Sequence, residues 1–308
     1  MDKHFRFSAI LLAISFSMLS FTTSISASER KINMNQHWKF YHGCIANAEQ
    51  PSFNDSGWRV LDIPHDWSVE PLPVQREGIT IGPFSRMSIG GPDTGQTVGG
   101  EGWYRKELIL QPGDTDKILS LYFEGAYNQT EVWINGQKAC FNAYGYIPFR
   151  IDINKYCNAP GIPNTIAVKV INEGLNSRWY AGSGIYRHVW LIKTDKVHLD
   201  EWDTFVDASK VESRKATVNL HTILHNAHKG EAVSNLNVRI LSPQGAEVYS
   251  ATQQVNIAGE GNTPLSLSFE IKKPELWSVD SPHLYTAHIS VRSDKEESDQ
   301  ITVPFGIR

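Results

Sequence analysis

Side chains able to do chemistry are present in this chain, but seldom at the spacing chemistry needs. Asn172-Glu173 sets a carboxylate beside an amide, a pairing used in acid/base work, but it sits at the end of a strand-like run rather than at the mouth of a barrel. Gly182-Ser183-Gly184 lacks the Gly-x-Ser-x-Gly spacing of a nucleophile elbow and lies in β context. No glycine cluster feeds a helix, so a phosphate-cradling loop is not expected. His221 and His225 fall on one face of a strand, but His225 ends that strand and no third ligand is evident. These positions predict no catalytic pair, no metal and no cofactor.

The denser signal is aromatic and polar. Asn176 to Arg187 packs Trp179, Tyr180 and Tyr186 with Arg178, Arg187 and several small residues. Glycine lets backbone approach closely, and Trp and Tyr offer flat faces. Sugar rings present C–H faces that stack on such rings, and hydroxyls that suit Arg, Asp and Asn. Arg178, Trp179, Tyr180 and, second to them, Asp66 are the candidate substrate contacts. Residues 184–187 read instead as a packed corner, with Tyr186 in the core and Arg187 as a clamp. Pro64-His65-Asp66-Trp67 and Gly102-Trp103-Tyr104-Arg105 read as part core, part sugar contact.

The elements that must hold these residues are strands. Apolar alternation of period two recurs at Ile166-Val168-Val170, Val218-Leu220-Thr222-Leu224, Leu236-Val238-Ile240, Leu265-Leu267-Phe269-Ile271 and Tyr285-Ala287-Ile289-Val291. Asn135-Gly136 between strand-like flanks marks a tight hairpin. Many short strands and no long amphipathic helix imply all-β sandwiches or barrels. Residues 71–102 form the longest irregular stretch. Near residue 195 the aromatics thin out and plain alternating strands take over, which places a boundary at 193–197. The domains are then 28–194 and 195–308, the second of a size typical of an immunoglobulin-like sandwich.

Composition excludes other classes. With 41% hydrophobic residues in 308 the chain is not disordered. A formal charge of −4 argues against nucleic acid as partner. Residues 1–27 carry Lys3 and Arg6, a serine-broken apolar run from Ala9 to Phe21, and Ile25-Ser26-Ala27, the pattern of a cleaved secretory signal peptide. Export to the periplasm or medium is therefore expected, leaving 27 basic and 32 acidic residues and no membrane segment. Cys44, Cys140 and Cys157 are an odd set without a CxxC. Cys140 and Cys157 pair if their strands are neighbours; otherwise all three act as small buried apolar residues.

Seven segments, in order, carry a resemblance: Asn54-Asp55-Ser56-Gly57-Trp58-Arg59, Ile63-Pro64-His65-Asp66-Trp67, Gly102-Trp103-Tyr104-Arg105-Lys106, Trp133-Ile134-Asn135-Gly136, Ser177 to Arg187, Leu276 to Tyr285, and Phe305-Gly306-Ile307-Arg308. Over essentially the whole chain past residue 27 the sequence resembles the N-terminal part of a glycoside hydrolase family 2 enzyme, most closely a β-galactosidase. The resemblance implies a jelly-roll, galactose-binding-like β-sandwich followed by an immunoglobulin-like β-sandwich. It implies further that both catalytic glutamates belong to a TIM barrel, supplied in cis or in trans, to which Phe305-Gly306-Ile307-Arg308 resembles the leading strand. Retaining hydrolysis needs two carboxyl groups about 5 Å apart, and these two sandwiches are expected to supply no such pair. The expected partner is a carbohydrate of β-galactoside type, with β-glucuronide and β-mannoside as alternatives. A stand-alone carbohydrate-binding module and a complementing fragment are the competing readings. The acidic residue that some family members carry just before the Ser-Gly-Ile-aromatic-Arg motif is absent, with Ser177 and Arg178 standing there.

Overall fold

The computed structural model describes residues 30–88, 91–173, 181–293 and 296–308. The leader-like residues 1–27 and the candidate contacts Arg178, Trp179 and Tyr180 lie outside the described residues. The architecture is all β. In chain order the first twelve strands are β1 (Lys31–Asn33), β2 (Trp38–His42), β3 (Arg59–Leu61), β4 (Thr80–Ile81), β5 (Phe84–Ser85), β6 (Gly100–Ile109), β7 (Ile118–Phe123), β8 (Gln129–Ile134), β9 (Gln137–Asn142), β10 (Phe149–Asp152), β11 (Pro163–Asn172) and β12 (Val189–Thr194). They build a six-stranded sheet, β3-β2-β6-β11-β8-β9, and a four-stranded one, β1-β12-β7-β10. This is the jelly-roll sandwich. Every pairing in these two sheets is antiparallel.

Alternation explains the layering. Along β11 the side chains of Ile166, Val168 and Val170 are fully buried. They meet Trp38, Tyr104, Leu121, Phe123, Val132 and Ile185 in one core. The indole of Trp38 is completely enclosed and donates to the Met34 carbonyl at 2.7 Å, so the buried N–H is satisfied. Asn135 and Gly136 have φ of 52° and 79° and join β8 to β9 in a two-residue turn, Ile134 facing Gln137. The Asn135 side chain also donates to the Tyr156 carbonyl (2.9 Å) and accepts from the Thr165 amide (2.8 Å), tying the turn to β11 and the segment before it. Within 71–102, expected as irregular, β4 and β5 form a two-residue-long hairpin that no periodicity could announce.

The next eight strands are β13 (Val197–Leu199), β14 (Phe205–Ser209), β15 (Lys215–Asn226), β16 (Ala232–Leu241), β17 (Glu247–Ile257), β18 (Gly261–Lys272), β19 (Tyr285–Ser293) and β20 (Glu296–Phe305). β13 and β14 lie end to end along one edge of β15 and β18 runs along the other, while β17-β16-β19-β20 forms the facing sheet. Val218, Leu220 and Leu224 meet Leu236, Val238, Ile240, Ala287, Ile289 and Val291 in a second core. This is the immunoglobulin-like sandwich.

A polar seam joins the two sandwiches. The Arg30 guanidinium pairs with Asp299, donates to the Leu199 carbonyl at 2.9 Å, and Asp299 also accepts from the Leu199 amide at 2.8 Å. Both charged side chains are largely enclosed. Burial holds the Asp299 carboxyl above its ordinary value, outweighing the pull of Arg30. Tyr122 meets Trp202 edge to face, and His198 stacks on His225 with ring centres 5.1 Å apart.

The cysteines are all free thiols. Cys140 and Cys157 are half-buried against the first core, where burial raises both thiols, Cys157 to about 11. Cys44, expected to be buried, is exposed, because it sits in the loop after β2 rather than on a sheet face.

Candidate functional site

The Gly-rich segment after residue 180 is held in the jelly roll by backbone bonds on both sides, with an isolated bridge between Gly184 and Tyr127. On one side the His65 amide donates to the Ile185 carbonyl (2.8 Å) and the Trp67 amide to the Ser183 carbonyl (3.0 Å). On the other, Gly184 and Tyr127 exchange two backbone bonds of 2.9 and 3.0 Å. Asp66 fastens this corner. Its Oδ1 accepts from the Ser68 amide (2.9 Å), the Ser68 hydroxyl (2.6 Å) and the Ser183 amide (2.8 Å), which also caps the short helical turn Trp67–Val69. Asn172 donates to the Ser183 hydroxyl at 2.7 Å.

Two glycines are required for different reasons. A Cβ on Gly182 would lie 2.3 Å from Asp66 Oδ2, so Gly182 makes room for the carboxylate. Gly184 has φ of 130°, and a Cβ there would lie 2.4 Å from the Tyr104 hydroxyl and 2.6 Å from the His65 carbonyl.

Beneath the corner runs a chain of polar contacts to the surface. The Tyr104 hydroxyl meets His65 Nδ1 at 2.7 Å, His65 Nε2 meets Glu70 at 3.1 Å, and Arg59 donates to both Glu70 oxygens at 2.7 and 3.0 Å. Burial raises the Tyr104 phenol well above its usual value. Burial, helped by the charge of Arg59, lowers the His65 imidazole in spite of Glu70 and Asp66. Burial pushes the Glu70 carboxyl up, but hydrogen bonds and charge from Arg59 and His65 outweigh it, and the net direction is down. At neutral pH the chain therefore holds one ion pair, Arg59 with Glu70, and a neutral imidazole.

The structure thus brings Asp66 of the sequence candidates against 182–183, directly after the segment holding Arg178, Trp179 and Tyr180. Of the corner 184–187, Ile185 is fully buried and Tyr186 packs inward, donating to the Gly145 carbonyl at 2.7 Å. Arg187 is exposed and lies over the Tyr186 ring instead of clamping backbone. Glu173 is exposed at the end of β11. His221 sits between Asp207 (3.1 Å) and Ser266 (2.9 Å), and His225 between Asp200 (2.9 Å) and Asn262 (2.6 Å).

A second feature escaped the sequence reading. A cleft of about 430 Å³ opens beside β2, its lining including Tyr41, His42, Trp58, Arg59, Trp67 and Glu70. Tyr41 and Trp58 stack with ring centres 5.6 Å apart. The available signal was Trp58 itself, inside the Asn54–Arg59 segment. Arg105 anchors that segment: it is buried, donates to Asp55 at 2.8 Å, and holds the Ala48 and Gln50 carbonyls.

Comparison with known proteins agrees with this architecture. Residues 41–195 match the family model described as "Glycosyl hydrolases family 2, sugar binding domain", and residues 197–308 match "Glycosyl hydrolases family 2". A β-galactosidase of Bacteroides ovatus is 37% identical over 292 residues, covering 93% of this chain and 32% of that protein. A putative β-glucuronidase of Formosa agariphila is 33% identical, covering 92% of this chain and 25% of its own length. The crystal structure of a glycosyl hydrolase family 2 member from Bacteroides cellulosilyticus superposes with a TM-score of 0.86 at 35% identity, covering 91% of this chain and 35% of that one. The chain spans about a quarter to a third of the length of these relatives. Two sandwiches in this order, joined at the Arg30–Asp299 seam and matched along nearly their whole length, are those of an N-terminal region: the chain belongs to glycosyl hydrolase family 2.

Proposed function

We propose that this chain is the non-catalytic N-terminal part of an exported β-galactosidase-type glycosidase, divided into sandwiches at 194/195. Arg178, Trp179 and Tyr180, which precede its corner at Asp66 and 181–185 in the sequence, contact a sugar held mainly by a catalytic barrel. The observation that carries the reading is the Asp66–Ser183 clamp, which makes a rigid base of residues 183–185, shortly after 178–180 in the sequence. Binding residues held on a stiff scaffold pay less ordering entropy when ligand arrives. The identity to the Bacteroides ovatus β-galactosidase supports galactose over glucuronate, which the Formosa relatives favour.

The test is kinetic. The purified chain should give no turnover of nitrophenyl β-galactoside, β-glucuronide or β-mannoside. The same chain joined to, or mixed with, the cognate barrel should hydrolyse the galactoside fastest, and Trp179→Ala there should raise KM by about tenfold, the equivalent of ~1.4 kcal/mol. Turnover by the purified chain that disappears when one of its own carboxylates is replaced would sink the proposal. Export is tested by deleting residues 1–27, which should leave the product inside the cell.

A further inference from the structure

We infer that the cleft between β2 and the Trp58 turn is a second carbohydrate site, one that takes uncharged pyranose units of an oligosaccharide. It lies on the flank of the 65–70 segment turned away from the Asp66 corner: Asp66 reaches toward Ser183, whereas Trp67 and Glu70 line the cleft. The inference stands apart from the hydrolase reading, since it requires no barrel.

Three observations carry it. The first is size and shape: about 430 Å³ falls within the range of small-molecule sites. The second is the wall. Trp58 stacks on Tyr41 and meets Phe53 edge to face at 5.5 Å, so its ring is held in one orientation before any ligand arrives. A fixed indole is a platform for the C–H face of a sugar ring, and rigid aromatics give contact area at low entropic cost. Among the described residues, neither the Trp58 indole N–H nor the Tyr41 hydroxyl has a hydrogen-bond partner, which leaves both to sugar hydroxyls.

The third observation is charge. The two ionised groups of the cleft, Arg59 and Glu70, already neutralise each other across 2.7 Å. Arg59 makes its hydrogen bonds through one nitrogen only, Nη2, so its remaining N–H groups stay available as donors, and it lies 5.3 Å over the Phe40 ring. An anionic ligand would meet the Glu70 carboxylate beside Arg59 and find its positive charge already balanced. A neutral polyol can bond to both without separating them, and so the pairing selects an uncharged sugar.

The measurement is intrinsic tryptophan fluorescence of the full chain, titrated with lactose, cellotetraose, mannotetraose and a glucuronate-containing tetrasaccharide. Saturable quenching by at least one neutral probe in the millimolar range is expected, with no response to the acidic probe. Trp58→Ala should weaken binding at least tenfold, and Arg59→Gln severalfold. Phe141→Ala, an exposed aromatic on β9 outside the cleft, should bind as the parent does. Calorimetric binding with each variant, after checking that its melting temperature is within a few degrees of the parent, removes the loss of Trp58 emission as an explanation. Absence of saturable binding to every neutral probe overturns the assignment. So does binding that survives both Trp58→Ala and Arg59→Gln, or a preference for the acidic probe. None of these results bears on whether the barrel-linked enzyme hydrolyses galactosides.

Discussion

The two sandwiches bury similar apolar cores by different means. In the second, strands of up to twelve residues alternate, and a tight turn joins β16 to β17. The Ser242–Ala246 turn, with Gly245 at φ of 84°, has open space around it. In the first, much of the chain lies between strands, and four glycines there make room for side chains of other loops and strands, Gly102 for Trp67, Gly125 for Tyr186, Gly145 for Tyr127 and Gly182 for Asp66. The second has fewer such places, with Gly306 making room for Trp277 and Gly259 for the Lys229 carbonyl. The second sandwich is held by its strands, the first also by how its loops lock together. Loops fixed in that way can carry binding groups, while regular strands mainly support.

The seam gives the strongest test of whether the two halves depend on each other. Asp299→Ala should cost about 3–5 kcal/mol, because it leaves Arg30 enclosed and unpaired, and it should lower the midpoint of urea unfolding accordingly. Since burial already holds the Asp299 carboxyl high, the pair itself adds little. The double variant Arg30→Met with Asp299→Leu should therefore recover most of the loss. Failure of that rescue would mean the seam is held by the specific bonds to Leu199 rather than by charge balance.

Next in size is a pH effect at the same place. Burial, with the charges of His225, Arg30 and Arg150 behind it and the Asp195 carbonyl against it, lowers the His198 imidazole to about 4. Between its ordinary value of 6.5 and 4 the unfolded chain binds a proton that the folded chain refuses. The stability contributed by neutral His198 is thus complete above pH 6.5, falls as pH drops through that window, and is flat below it. The loss is on the order of 3 kcal/mol. Asp299, raised by burial, works in the opposite sense just above the ordinary carboxyl range and returns part of it. Urea unfolding of His198→Asn across pH 4–7 should show a flatter profile than the parent.

The smallest effects sharpen the contrast between loops and turns. Gly184→Ala meets the Tyr104 hydroxyl and the His65 carbonyl and should cost about 1–3 kcal/mol. Gly245→Ala meets nothing and carries only the backbone penalty, about 1 kcal/mol. Equal losses, measured by thermal unfolding, would show that the corner relaxes as readily as an open turn and is no rigid base.

What was legible in the sequence follows the same division. The strands at 166–170, 218–224, 236–240 and 285–291 were readable because each pattern reflects one buried face. Asn135-Gly136 was readable because positive φ at two successive residues restricts residue type. Asp66 was found through its motif, although its three hydrogen bonds arise from residues up to 117 positions away. The cleft was not legible, since Tyr41 and Trp58 become neighbours only when β2 pairs with β3. The exposure of Cys44 was hidden for a related reason: composition gives a residue's preference for the interior, and a loop can override it.

The Arg30–Asp299 contact also has a temporal meaning. Its two halves are 269 residues apart in the chain. At ribosomal rates of about 5–20 residues per second, the partner of Arg30 appears roughly tens of seconds after it. β1 can pair with β12 once residues 189–194 have been made, but its attachment to the second sandwich waits for β20. A nascent chain therefore carries an unlatched first strand until residue 299 has been made, and the latch closes only when the second sandwich can be completed.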